Sequence, residues 1–117
     1  MKLFKKKVTS SSLPSWEEIV SMMYDKDLHF ADEYKIVDVI YSQDKSHRYV
    51  ILKSNDGLLT YKYQKLTVYD EEEAAYFPTL PADWVTYESG ASPIFDDINV
   101  LKRELKADPP YKTYFEN

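Results

Sequence analysis

The sequence predicts an α+β fold in which two helices pack on one face of a three-stranded antiparallel meander. The order of segments along the chain is helix, three strands, an irregular stretch and a second helix. Both helical segments carry their apolar residues on one side only, so each has to cover another element. Because a small sheet needs one covered face, we expect both helices there and the opposite face partly open.

Tyrosine is the residue type that marks the predicted sheet. The chain holds 11 tyrosines, and those in the strand segments are Tyr34, Tyr41, Tyr49, Tyr61, Tyr63 and Tyr69. Tyrosine combines a large apolar ring with a hydroxyl group that needs a partner, so it suits a surface that is half buried or that binds something. The predicted open face of the sheet is therefore a candidate binding surface.

The first helix is predicted from Trp16 to about Lys26. Ser15 and Glu18 have the spacing of a capping box, in which each side chain bonds the other residue's backbone amide. Trp16 starts an apolar stripe that continues through Ile19, Val20 and Met23 at helical spacing. Residues 1–12, which begin with four lysines among the first seven residues, are either a basic arm or a fourth, N-terminal edge strand.

The three strands are predicted over residues 34–41, 48–53 and 58–69, which are rich in β-branched and aromatic residues. Asp56 and Gly57 separate the last two, and an Asp-Gly pair is a strong signal for a tight hairpin. In the third strand the apolar residues change from odd to even positions near Gln64 and Lys65. We expect a bulge or bend there.

The second half of the chain contains one further clear element. Residues 83–88 fit neither a helix nor a strand distinctly. A helix is predicted to begin with Ser92 as the N-cap and Pro93 at the first helical position. Its apolar stripe runs through Leu101 and Leu105, and the prolines after Asp108 end it.

Composition narrows the class of protein. A chain of 117 residues has the usual length of a single domain, here residues 1–117. It has no cysteine, which excludes disulfides and thiolate chemistry. Neither a secretory apolar run nor a stretch of about 20 apolar residues follows the lysine-rich start. We therefore expect a cytoplasmic protein without a membrane partner.

Candidate chemical sites are few. Asp25, Asp27, His29 and Asp32 form the single carboxylate-histidine cluster in the sequence. An EF-hand loop counted from Asp25 would need glycine at position 6 and glutamate at position 12, and the chain has neither there. His47 falls in a predicted turn, where histidines are usually exposed. With no catalytic motif present, we expect no metal, no cofactor and no enzymatic activity. An enzyme would require a cleft that joins His47 or His29 to a carboxylate.

The charge distribution points to a protein partner. The formal net charge is -5, and residues 67–108 carry ten acidic side chains against three basic ones. Aromatic residues within an acidic rim are typical of surfaces that bind a basic protein. The leading hypothesis is therefore a small binding domain, such as an acidic inhibitor of the immunity type. Its predicted partner-binding residues are Asp70, Glu71, Glu72, Glu73, Tyr76, Phe77, Asp83 and Trp84.

The alternative hypothesis is a binding module for a small ligand or for nucleic acid on the tyrosine-rich sheet. Its predicted residues are Tyr49, Tyr61, Lys62, Tyr63 and Lys65, which interleave rings with cations as single-strand binders do. Strand alternation, however, sends Tyr61 and Tyr63 to one face and Lys62 to the other. The negative net charge also weakens contact with phosphates, so we consider nucleic acid the weaker interpretation. For these residues we favour a structural interpretation, in which the tyrosines are half-buried under a helix and the lysines face water.

Overall fold

The computed structural model describes residues 15–69, 82–87 and 93–116. Its elements are α1 (Trp16–Met23), β1 (Tyr34–Tyr41), β2 (His47–Ser54), β3 (Leu59–Val68), β4 (Ala82–Tyr87), α2 (Ile98–Lys106) and α3 (Pro109–Tyr114). Short helices pack against an antiparallel sheet, and this confirms the predicted α+β class. No helix in the described ranges is long and apolar enough to cross a membrane.

The sheet is an antiparallel meander of four strands in the order β1-β2-β3-β4. The three predicted strands are confirmed to within two residues at each end. The fourth strand comes from residues 82–87, which the sequence pattern left unassigned, and Ala82 pairs with Val68 at the end of β3. The prediction of an N-terminal edge strand in residues 1–12 lies outside the described residues.

The first face of the sheet is covered by α2 and α3. Tyr49 pairs with Tyr63 and Ile51 pairs with Tyr61, so these four side chains share one face. The buried cluster on this face joins Tyr49 and Ile51 to Leu101 and Leu105 of α2. The tyrosine-bearing face predicted to be open is therefore the face that the C-terminal helices cover.

The second face is covered by α1. Leu66 pairs with Trp84 on this face, and both pack against Ile19 and Met23 of α1. The expectation that both helices cover one face was therefore wrong, because α1 and α2 lie on opposite faces. Helices therefore cover both faces of the sheet, each over a different part. This explains why the first six residues of β2, which point alternately to the two faces, are all buried.

The change of apolar parity in β3 has the same cause. The paired residues of β3 run without a register shift from Leu59 to Val68. Odd positions are apolar where α2 covers the first face, and even positions are apolar where α1 covers the second. The predicted bulge near Gln64 was wrong, and the register shift of this sheet lies in β1 between Ile36 and Asp38.

The two larger helices differ from prediction at one end each. Ser15 and Glu18 form the predicted capping box of α1, but the helix ends at Met23 and the ring of Trp16 is 42% exposed. Asp97 rather than Ser92 caps α2, accepting hydrogen bonds from the amides of the next turn. The reason is Phe95, whose backbone pairs with Leu59 in both directions and keeps the chain extended up to Asp97.

Candidate functional site

A cleft of about 650 Å³ lies where the chain leaves α1 and passes β4. It is lined by Ser21, Met22, Met23, Lys26, Asp27, His29 and Asp83. The side chains at its rim are accessible, and that of Met22 is 46% exposed. The cleft thus combines an apolar wall of methionine side chains with two carboxyl groups, a lysine and a histidine.

Arg48 fixes the position of the segment that carries these groups. Its guanidinium donates from Nη1 to the carbonyl oxygen of Lys26 at 2.9 Å and from Nη2 to that of Asp27 at 3.2 Å. Its Nε donates to Oε1 of Gln64 at 2.6 Å, and its guanidinium carbon lies 4.1 Å from the ring centre of Trp84. Because Arg48 is fully buried on β2, it ties the exit of α1 to the sheet.

Tyr41 supports the same segment from β1. Its hydroxyl group accepts a hydrogen bond from the amide of Asp25 at 2.9 Å and donates to the Asp25 carboxylate at 3.1 Å. Asp25 and Asp27 both have positive φ, at 59° and 57°, a conformation that aspartate tolerates better than most residues. The turn brings the side chain of Asp27 to the cleft.

Asp27 and Asp83 form a carboxyl pair in this cleft. Burial, the hydrogen bond with the Asp27 carboxyl group and the negative charge of Asp27 all raise the pKa of Asp83. Two carboxylates in contact repel each other and are stabilised by one shared proton. A cation placed between them would give the same relief, so the pair is suited to bind a positively charged group.

The cleft has His29 and two carboxyl groups in its lining. Ser21 is the sole hydroxyl group among the residues that line it. A serine nucleophile needs a base within hydrogen-bonding distance, and no hydrogen bond among the described residues joins Ser21 to His29. Within the same residues, no group of three or more histidine or acidic side chains is arranged to hold a metal ion.

The predicted partner-binding residues fall into three groups. Asp83 lines the cleft. Trp84 is 5% exposed and donates from Nε1 to the carbonyl oxygen of Met23 at 2.9 Å, so its role as an exposed anchor was wrong. The remaining six residues, Asp70, Glu71, Glu72, Glu73, Tyr76 and Phe77, lie outside the described residues.

The predicted tyrosine site is largely covered. Tyr49 is completely buried, and its hydroxyl group donates to Oδ2 of Asp108 at 2.6 Å. Tyr61 and Tyr63 are half-buried on the same face, whereas Lys62 pairs with Val50 on the other face. Lys65 is exposed on the tyrosine face. In this fold the ring of Tyr49 is not accessible to a ligand.

His47 differs most from its expected environment. It is 6% exposed rather than free in a turn. Its Nδ1 lies 2.6 Å from the hydroxyl oxygen of Tyr63, and its ring stacks on that of Tyr114 with centres 3.7 Å apart. Burial lowers the pKa of His47, as does the nearby Lys65, whereas Asp44 raises it.

Sequence reasoning missed the role of Arg48 and the meeting of Asp27 with Asp83. Arg48 directly precedes the apolar run of residues 49–52 in β2, and a cation beside such a run can be buried if it is paired. Asp27 and Asp83 are 56 positions apart in the chain, so no local pattern predicts that their carboxyl groups meet. Asp27 was considered as part of a metal loop, and His29 was considered both there and as a histidine that an enzyme would join to a carboxylate in a cleft.

Comparison with known proteins identifies no relative. No protein-family model matches the chain, and no curated protein or solved structure is detectably similar to it. The function is therefore argued from the cleft and the residues that form it.

Proposed function

We propose that this chain is a non-enzymatic domain that binds a basic segment of a protein partner in the cleft between α1 and β4. The observation that carries the proposal is that Asp27 and Asp83 both line one open cleft, close enough for Asp27 to raise the pKa of Asp83. Acidic inhibitors that mask a basic protein surface are one class of protein with this property.

A lysine or arginine side chain of the partner fits the chemistry of the cleft. Its aliphatic stem would pack on Met22 and Met23, which form the apolar wall. Its charged end would lie between Asp27 and Asp83 and relieve the repulsion between their carboxyl groups. Methionine is flexible and polarisable, so it adapts to stems of different length.

Other charges near the cleft set the strength of binding. Lys26 lines the cleft and opposes an incoming cation. Arg48 is buried, and it donates hydrogen bonds to the backbone carbonyls of Lys26 and Asp27 and to the side chain of Gln64. The acidic residues 70–73, which follow β3 in the chain, would add long-range attraction that accelerates encounter with a basic partner. Reversing the charges of Glu71, Glu72 and Glu73 should therefore slow association most at low salt.

The direct test is a titration of the full chain with a short peptide that contains lysine and arginine, followed by amide chemical shifts. We expect the shifts to concentrate at Asp27, His29 and Asp83. Asp83→Asn should weaken binding by about ten-fold or more, since it removes one carboxylate of a partly buried charge contact.

Glu17→Gln is the matched control. It makes the same change in net charge at an exposed position of α1, and we expect it to change affinity less than about two-fold. Equal losses in both variants would mean that the peptide responds only to net charge. Shifts confined to the tyrosine face would move the site to the alternative residues.

A further inference from the structure

The short C-terminal helix α3 is attached to the sheet through aromatic rings and one hydrogen bond to a side chain. Tyr114 stacks on His47, and Phe115 contacts Tyr49 with ring centres 5.1 Å apart. The Tyr49 hydroxyl group donates to Asp108, the residue before α3. Because α3 has only six residues, it is too short to be stable alone in water. Its position depends on these contacts.

His47 is the one titratable group near neutral pH among these contacts. The charged groups that act on it are Asp44 in the turn before β2 and Lys65 on β3. From β3 it also meets the Tyr63 hydroxyl group, whose own pKa burial raises to about 12. Tyr63 is therefore uncharged and can donate to Nδ1 of a neutral imidazole. The ring of Tyr114 covers His47 from α3.

We propose that α3 is a pH-sensitive lid that docks on neutral His47 and is released when His47 takes up a proton. In the docked state the Tyr114 ring covers His47, and the burial of His47 disfavours the imidazolium. A protonated ring is better hydrated once Tyr114 leaves. Protonation and release therefore favour each other by linkage.

The direction of the pH dependence follows from the pKa of His47 in the released and docked states. An uncovered histidine has a pKa of about 6.5, and burial in the docked state lowers the pKa of His47. Docking is therefore unaffected by pH above about 6.5 and weakens as pH falls toward the docked pKa. At a pH below both pKa values, each unit by which the pKa of His47 differs between the docked and released states multiplies the ratio of released to docked chains by about ten.

Release would also change what the sheet presents to solvent. Tyr111, Tyr114 and Phe115 all pack on the aromatic cluster of this face. Their departure would uncover Tyr49 and Tyr63, which belong to the alternative ligand site predicted from the sequence. That site would then be available mainly at acidic pH.

The experiment follows His47 and α3 by NMR on the full chain between pH 7.5 and 5. We expect the contact between the Tyr114 and His47 rings to disappear on acidification, together with a shift of the amide of Phe115 toward its unfolded value. The midpoint should lie below about 6.5, the pKa of an uncovered histidine.

A second variant keeps the test valid if direct replacement of His47 disturbs the fold. Tyr114→Leu removes the covering ring, so the pKa of His47 should rise toward about 6.5, the value of an uncovered histidine. The proposal is overturned if His47 titrates with the α3 signals unmoved. It is equally overturned if Tyr114→Leu leaves the pKa of His47 unchanged.

Discussion

Replacing Arg48 with methionine tests how the exit of α1 is held in place. The wild-type side chain is fully buried and makes hydrogen bonds to Gln64, Lys26 and Asp27, with a further contact over Trp84. Methionine fills much of the same volume but donates nothing. The variant therefore isolates the loss of the guanidinium from the loss of bulk.

The loss in free energy of unfolding depends on whether each group that Arg48 contacts can find another partner. The amide oxygen of Gln64 is buried and left without a donor, which costs ~1–3 kcal/mol. The lost cation contact with Trp84 costs ~0.5–2 kcal/mol. Lys26 and Asp27 are exposed, so their carbonyls can bind water and add little. We expect a loss of about 3 kcal/mol, out of ~5–15 kcal/mol for a domain.

Urea denaturation and thermal melting measure this loss. For a chain of this length, 3 kcal/mol corresponds to a fall in Tm of about 12 °C. The control is Arg103→Met, since Arg103 is the other arginine of the chain and is exposed on α2. We expect that variant to stay within about 0.5 kcal/mol of wild type. Equal stability of the two variants would refute the role assigned to Arg48.

The remaining predictions concern the core and the turns. Leu101→Ala should cost ~2–5 kcal/mol in urea denaturation, because Leu101 is completely buried. Trp16→Ala should cost only about 1 kcal/mol, because Trp16 is 42% exposed. Tyr49→Phe should cost ~1.5–3 kcal/mol by removing the bond to Asp108, and a melting curve that matches wild type would contradict the assigned donor. Gly57→Ala should cost about 1–2 kcal/mol through backbone strain, since φ is 87° and no atom lies within 4 Å of the added methyl group.

The sequence was sufficient for those parts of the fold that depend on local signals. The capping box of Ser15 and the turn at Gly57 were found where predicted, because both depend on neighbours within a few residues. The face that each helix covers could not be predicted, because it depends on long-range pairing between strands. The parity change in β3 contained that information, but a bend in one strand and a change of covered face produce the same pattern.

The candidate site was harder to predict for the same reason. Asp83 was selected for its charge and lines the cleft, but Asp27, its partner in the pair, comes from the far end of the described chain. Trp84 was selected as an exposed anchor because aromatic residues near acidic ones suit interfaces. Its burial depends on α1 packing over β4, a contact that no local pattern reveals.

The carboxyl pair is tested most directly by a ¹³C NMR titration of the Asp83 side chain. We predict a pKa above the ordinary value of about 3.9, because burial and the Asp27 carboxyl group both raise the pKa of Asp83. In Asp27→Asn the pKa of Asp83 should fall toward that ordinary value. An ordinary pKa in the wild-type chain, or no change in the variant, would contradict the carboxyl contact on which the proposed binding site depends.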